Sequence, residues 1–159
     1  MLVERILILT ACIFLLFVAW EDFRKFKVRN SSVLILIGLY AAFAAVRAEF
    51  DPVVLDFGAG LLLFVLGVVF WLFGLMGAGD AKLFFPVGCW VSLHNLAGWA
   101  MLLLLCSFVM LILVKVKVPL PLRHYAFFMR LDDFRHGKVP YGVPISMATV
   151  ISLLPNVFL

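Results

Sequence analysis

Six apolar runs separated by short polar gaps limit what this chain can fold into. They are Ile6–Trp20, Ser32–Val46, Val53–Leu75, Leu83–Leu93, Leu96–Val114 and Val143–Leu159. Most are long enough to approach or span a hydrocarbon core of about 30 Å as helices. With 66% hydrophobic and 14% charged residues, the chain has too little polar surface to cover a water-soluble core of its own. The expectation is an all-α integral membrane protein with about six transmembrane helices, forming one membrane-embedded domain over residues 1–159.

Charge sets the expected orientation. Loop one holds Arg24, Lys25, Lys27 and Arg29, loop three holds Lys82, and loop five holds Lys115, Lys117, Arg123, Arg130, Arg135 and Lys138. The other side holds only Arg5 and Arg47. The positive-inside rule then puts these three loops in the cytoplasm and both termini outside. The same distribution reads the net charge of +4 as a topology signal and not as a nucleic-acid surface. The long first run, followed by Trp20-Glu21-Asp22 with no small-residue cleavage site, is read as a retained span. The fourth run tests the scheme, since eleven residues rise only about 16 Å. It is expected to cross as a short helix with an end below the membrane surface, because otherwise the basic fifth loop would lie outside. Residues 119–138 mix aromatic and basic side chains, as an amphipathic segment on the cytoplasmic leaflet would.

Cys12, Cys89 and Cys106 lie within apolar runs at no pairing or zinc-ligand spacing, and His94, His124 and His136 are scattered. No metal and no cofactor are expected. Glycines 58, 60 and 67 in the third run predict close helix packing.

Carboxylates embedded in a membrane are costly and tend to be functional. Glu49, Asp51 and Asp56 read as outer-loop residues beside Arg47, and Asp132 and Asp133 as surface residues. Asp22 and Asp80 stand apart, because both fall at cytoplasmic helix ends. Gly77 and Gly79 before Asp80 let the backbone turn sharply and admit another chain closely. Taken alone, Asp22 reads as a solvated boundary residue more readily than as a catalyst, and Gly77–Asp80 as an ordinary Gly-rich turn as readily as a site. Together, on one face of a chain poor in embedded charge, they point to a carboxyl pair sharing one proton. That is the chemistry of an aspartyl protease, which needs water and no other cofactor.

Gly-Ala-Gly-Asp-Ala-Lys-Leu at 77–83 resembles the GxGD signature of the type IV prepilin peptidase family. Asp22-Phe-Arg24 with Val28-Arg29-Asn30 resembles the family's first motif, though Arg29 stands where the family usually has proline. Pro140-Tyr141-Gly142-Val143-Pro144 resembles the Pro-Tyr-Gly segment that opens its last helix. The resemblance implies an endopeptidase of the cytoplasmic membrane that removes the short basic leader of prepilin or pseudopilin substrates at the cytoplasmic face. By motif, Asp22 and Asp80 would be the catalytic pair, and Gly77, Gly79 and Lys82 the active-site loop. Arg24, Asn30, Pro140, Tyr141 and Gly142 would give substrate or structural support. The short chain without a cysteine-rich insert resembles the form found with tight-adherence (Flp-type) pili, for which peptidase activity without N-methylation is expected. The expected partners are the substrate and the lipid bilayer.

Two competing carboxylate readings are open to test. Glu21 adjoins Asp22, but consecutive helix residues point about 100° apart, so both are not expected to face one site. A presenilin-like protease would carry its first aspartate mid-helix, whereas Asp22 borders a basic loop. The non-enzymatic alternative is a small transporter or pilus-assembly subunit with Asp22 and Asp80 as ion or proton sites.

Overall fold

The computed structural model describes residues 2–25, 27–115 and 141–158, and all the regular structure among them is helical. Helix α1 spans Leu2–Lys25, α2 Asn30–Arg47, α3 Phe50–Leu72, α4 Ala78–Val91 and α5 Leu96–Lys115. A short 3-10 turn, Leu93–Asn95, leads into α5, and α6 (Gly142–Leu153) is followed by the single turn α7 (Pro155–Phe158). The expected surface segment at 119–138 and Pro140 lie outside the described residues.

Four stretches are long and apolar enough to cross a membrane: Leu2–Lys25, Asn30–Arg47, Phe50–Leu72 and Leu93–Leu113. The chain is a multi-pass helical membrane protein. Helix α4 and the stretch Gly142–Val157 are shorter. Helix α4 begins at Ala78, ahead of the apolar run, because Gly77 serves as its N-cap and its first turn is built from Ala-Gly-Asp. Its 14 residues rise about 21 Å.

Helix α4 is the centre of the bundle. It packs along α3 and also meets α2 and α6, while α1 packs on both α2 and α6. Lipid provides little hydrophobic drive for helices to associate, so close van der Waals contact must hold them. Glycines provide it at the α3–α4 crossing. A Cβ on Gly88 would lie 2.6 Å from the Ala59 carbonyl oxygen and 2.6 Å from Gly60 Cα, so the two backbones touch. Gly67 likewise admits Phe84 and Ala81. Gly58, grouped with these from the sequence, faces open space and takes no part in the crossing.

Directional contacts add register. Trp99 Nε1 donates to Thr149 Oγ1 at 3.0 Å, tying α5 to α6, and Trp90 Nε1 donates to the Leu36 carbonyl at 3.2 Å, tying α4 to α2. Many large apolar side chains point outward, among them Ile13, Phe57, Leu104 and Phe108. A bundle solvated by lipid presents such a surface.

Candidate active site

The C-terminal end of α1, the N-terminal end of α4 and the N-terminal end of α6 meet at one end of the bundle. Asp22 lies on the last turns of α1 and is 3% exposed, and Asp80 lies in the first turn of α4 and is 8% exposed. The backbone amide of Gly142 is turned toward both carboxyls, and that of Val143 toward Asp22. The two acids are close enough to interact electrostatically. Residues 58 positions apart in the chain are thus gathered around the start of α6.

Each carboxyl is held by a specific local feature. Asp80 occupies the third position of α4 and reaches back toward the Gly77 amide, as an acidic residue does in a capping box. Gly142 makes room for Asp22: a Cβ there would lie 2.7 Å from Asp22 Oδ2. That oxygen is buried and has no hydrogen-bond partner among the described residues. Leaving a buried acceptor unpaired is costly, so it is a polar atom poised for a further donor.

The glycines of the loop act differently from the sequence expectation. The sharp reversal falls at Gly74, with φ 72°, and not at Gly77, whose φ is −73°. Gly79 does admit another chain closely. A Cβ there would lie 3.3 Å from the backbone nitrogen and oxygen of Val28. This contact packs the first motif directly against the second.

Lys82 Nζ donates to Asn30 Oδ1 at 3.3 Å, joining the start of α4 to the first residue of α2. Arg24 Cζ lies 5.8 Å from the centre of the Trp20 ring. Tyr141 is the N-cap of α6, and its carbonyl accepts from the Ile145 amide at 3.2 Å. It also lines an apolar groove of about 270 Å³ with Phe70, Met76, Phe84 and Pro144.

Glu21 is buried, 7% exposed, but is used elsewhere. Its Oε1 lies 3.2 Å from Lys25 Nζ and 3.5 Å from Arg29. Arg29, at the position where a proline is usual, is thus a counter-ion for Glu21.

Besides Asp22, two buried residues carry a side-chain oxygen with no partner among the described residues, and sequence reasoning proposed neither as a site. Ser146, one turn beyond Gly142 on the same face of α6, is fully buried, and its Oγ has no partner among the described residues. Asp56 was read as an outer-loop residue, and the structure corrects this. Helix α3 already begins at Phe50, with Pro52 tolerated in its first turn, so Asp56 lies within the helix and is 4% exposed. Tyr40 donates its hydroxyl to Asp56 Oδ2 at 2.8 Å. The signal was in the spacing, since Tyr40 and Asp56 lie almost equally far from the α2–α3 turn and so face each other across the hairpin.

Fold and site together define a class: a multi-pass helical membrane protein that gathers two buried aspartates from different helices at one end of its bundle. The chain belongs to the type IV leader peptidase family, whose model matches residues 9–116. This match takes in both aspartates and makes the protein a peptidase of the prepilin-peptidase type. No curated protein and no solved structure matches the chain.

Proposed function

We propose that the protein is an aspartyl endopeptidase that removes the short basic leader from prepilin-like substrates at the cytoplasmic membrane face. The observation that carries this reading is the convergence of the Asp22 and Asp80 carboxyls on the Gly142 amide. Two neighbouring buried carboxyls cannot both ionise readily, so the pair holds one proton. The ionised carboxyl takes a proton from water, and the water oxygen bonds to the scissile carbonyl carbon. The protonated carboxyl hydrogen-bonds the carbonyl oxygen and stabilises the developing oxyanion. Collapse of the tetrahedral intermediate breaks the C–N bond, and the leaving amine takes up a proton.

The surroundings suit a boundary cut. The apolar groove beside Tyr141 begins next to Gly142 and fits the apolar segment that follows the scissile bond. Gly77 and Gly79 shape the loop beneath the acids, Lys82 and Asn30 hold it, and Tyr141 and Gly142 position the opening of the last helix. The excess of Lys and Arg in loops one, three and five of the sequence supports a cytoplasmic position for the aspartate pair by the positive-inside rule. The product is expected without N-methylation.

The test is incubation of the purified protein with a candidate prepilin, reading leader removal by mass spectrometry. Cleavage by the wild type and none by Asp80→Asn is the expected result. An intact leader, combined with loss of a cellular phenotype in Asp80→Asn, would favour an ion- or proton-handling role for the same two acids.

A further inference from the structure

A second polar site lies at the opposite end of the bundle. A cavity of about 500 Å³ is lined by the start of α1, the ends of α2 and α4, and the early part of α3. Its walls carry the cations Arg5 and Arg47 with His94, the acids Glu4 and Asp56, and the indole of Trp90. Arg5 precedes Asp22 by 17 residues on one helix, which places the cavity about 25 Å from the aspartate pair. The peptidase chemistry uses none of these residues.

Asp56 is the residue that calls for a ligand. It is more than nine-tenths buried, and it takes part in no ion pair among the described residues. Oδ2 accepts from Tyr40, but Oδ1 is buried with no hydrogen-bond partner among the described residues. A buried carboxylate satisfied on one side only is expensive, and a charged donor is the partner that best offsets the cost. Beside it, Trp90 packs on Tyr40 with ring centroids 5.7 Å apart and on Phe43 at 5.3 Å. Aromatic faces next to a carboxylate suit an ammonium group. Arg47, already held by Glu49 at 3.2 Å, and Arg5 suit a phosphate. Ser92 on the cavity wall has φ 64° and ψ 154°, a conformation that only glycine adopts without strain.

We propose that this cavity binds a primary ammonium joined to a phosphodiester, the chemistry of a phosphatidylethanolamine headgroup. The ammonium donates to Asp56 Oδ1, and the phosphate faces Arg5 and Arg47. A lipid is the favoured source, since the cavity opens at a helix end of a membrane protein, where headgroups lie. The soluble headgroup, glycerophosphoethanolamine, shares the chemistry.

The test uses the full-length protein in nanodiscs holding equal parts of phosphatidylethanolamine, phosphatidylcholine and phosphatidylglycerol, with retained lipid counted by native mass spectrometry. Phosphatidylethanolamine should be retained over the other two by about tenfold, roughly what one charge-assisted hydrogen bond contributes. Asp56→Asn should lower it to the level of phosphatidylglycerol. Arg47→Gln should lower retention of all three lipids together, since each carries the phosphodiester, and this arm stands even if Asp56→Asn does not fold. Asp22→Asn should leave the preference unchanged, so failure of the peptidase reading is separable. In a second arm, glycerophosphoethanolamine is added to protein in phosphatidylcholine nanodiscs. Binding there assigns the site to the free headgroup, and no binding assigns it to the lipid. Equal retention of all three lipids with no bound glycerophosphoethanolamine overturns the proposal, as does a preference that survives in Asp56→Asn.

Discussion

Gly142 stands directly against the carboxyl of Asp22: a methyl group at its Cα would lie 2.7 Å from Oδ2 and 2.9 Å from Cγ. The first turn of α6 is therefore fitted to an acid carried by α1. Gly142→Ala should push the Asp22 side chain out of place without unfolding a bundle that spreads its contacts over six helices. Misplacement of a reacting group by an ångström costs about 10²-fold in rate. Leader-cleavage kinetics should show that loss in kcat, while circular dichroism in detergent stays unchanged. A variant that cleaves at the wild-type rate would show that the position of Asp22 does not govern turnover.

Asp22→Asn and Asp80→Asn should each lower cleavage by at least about 10²- to 10⁴-fold, the usual contribution of a positioned acid or base. Because the two act as a unit, the double variant should be scarcely slower than either single one. Both asparagines fill the same space, so yield and melting temperature should change little. Rates measured for the two singles and the double check this. If their losses multiply, the residues do not share one step.

The parts of this arrangement differ in how far they could be read in advance. Asp22 and Asp80 stood out because embedded acids are rare in so apolar a chain, and alternating helix direction puts both at the same end. The α3–α4 crossing was half visible: Gly60 and Gly67 pack on α4, but Gly58 faces outward on the same helix, and composition does not report rotation about a helix axis. Asp56 was misplaced because it was grouped with Glu49 and Asp51 around Arg47 and Pro52, which look like loop, whereas proline in a first turn is compatible with helix. The part played by Gly142 depends on where α6 starts relative to α1, a tertiary fact that no local pattern carries.

Gly88→Ala tests the backbone contact between α3 and α4. The added methyl meets main-chain atoms at 2.6 Å, which cannot swing aside as a side chain could. Overpacking of this kind costs about 1–3 kcal/mol. Thermal unfolding in detergent should show a clear drop for Gly88→Ala. Gly58→Ala, which meets nothing within 4 Å, should unfold at or above the wild-type temperature. Equal behaviour of the two would remove close packing as the reason for glycine at position 88.

The hydrogen bond from Lys82 to Asn30 links the start of α4 to the start of α2 across 52 residues. It is exposed, so its energy is modest, about 1 kcal/mol or less. Its role is then positional. Lys82→Met and Asn30→Ala should each slow cleavage by a few-fold, up to about fivefold, with similar KM. The double variant should match the singles, because either change breaks the same contact. A much larger loss in Lys82→Met than in Asn30→Ala would mean that the ammonium acts on the carboxyl pair itself.

Glu21 gives the sharpest comparison with Asp22, since the two are consecutive, acidic and buried. Their helix positions point them apart, and Glu21 spends its charge on Lys25 and Arg29. Both cations are largely exposed, with side chains 61% and 65% accessible, so water screens the pairs. Glu21→Gln should therefore cost less than about fivefold in cleavage rate, against the collapse expected for Asp22→Asn. Arg29→Pro, which puts the family's usual residue in place, removes one of the two counter-ions. Combined with Glu21→Gln, it should be better tolerated than Arg29→Pro alone, because no buried carboxylate then loses a partner. Melting temperatures of the three variants measure that coupling. If Glu21→Gln abolished cleavage while remaining folded, the acid that pairs with Asp80 would have to be reassigned.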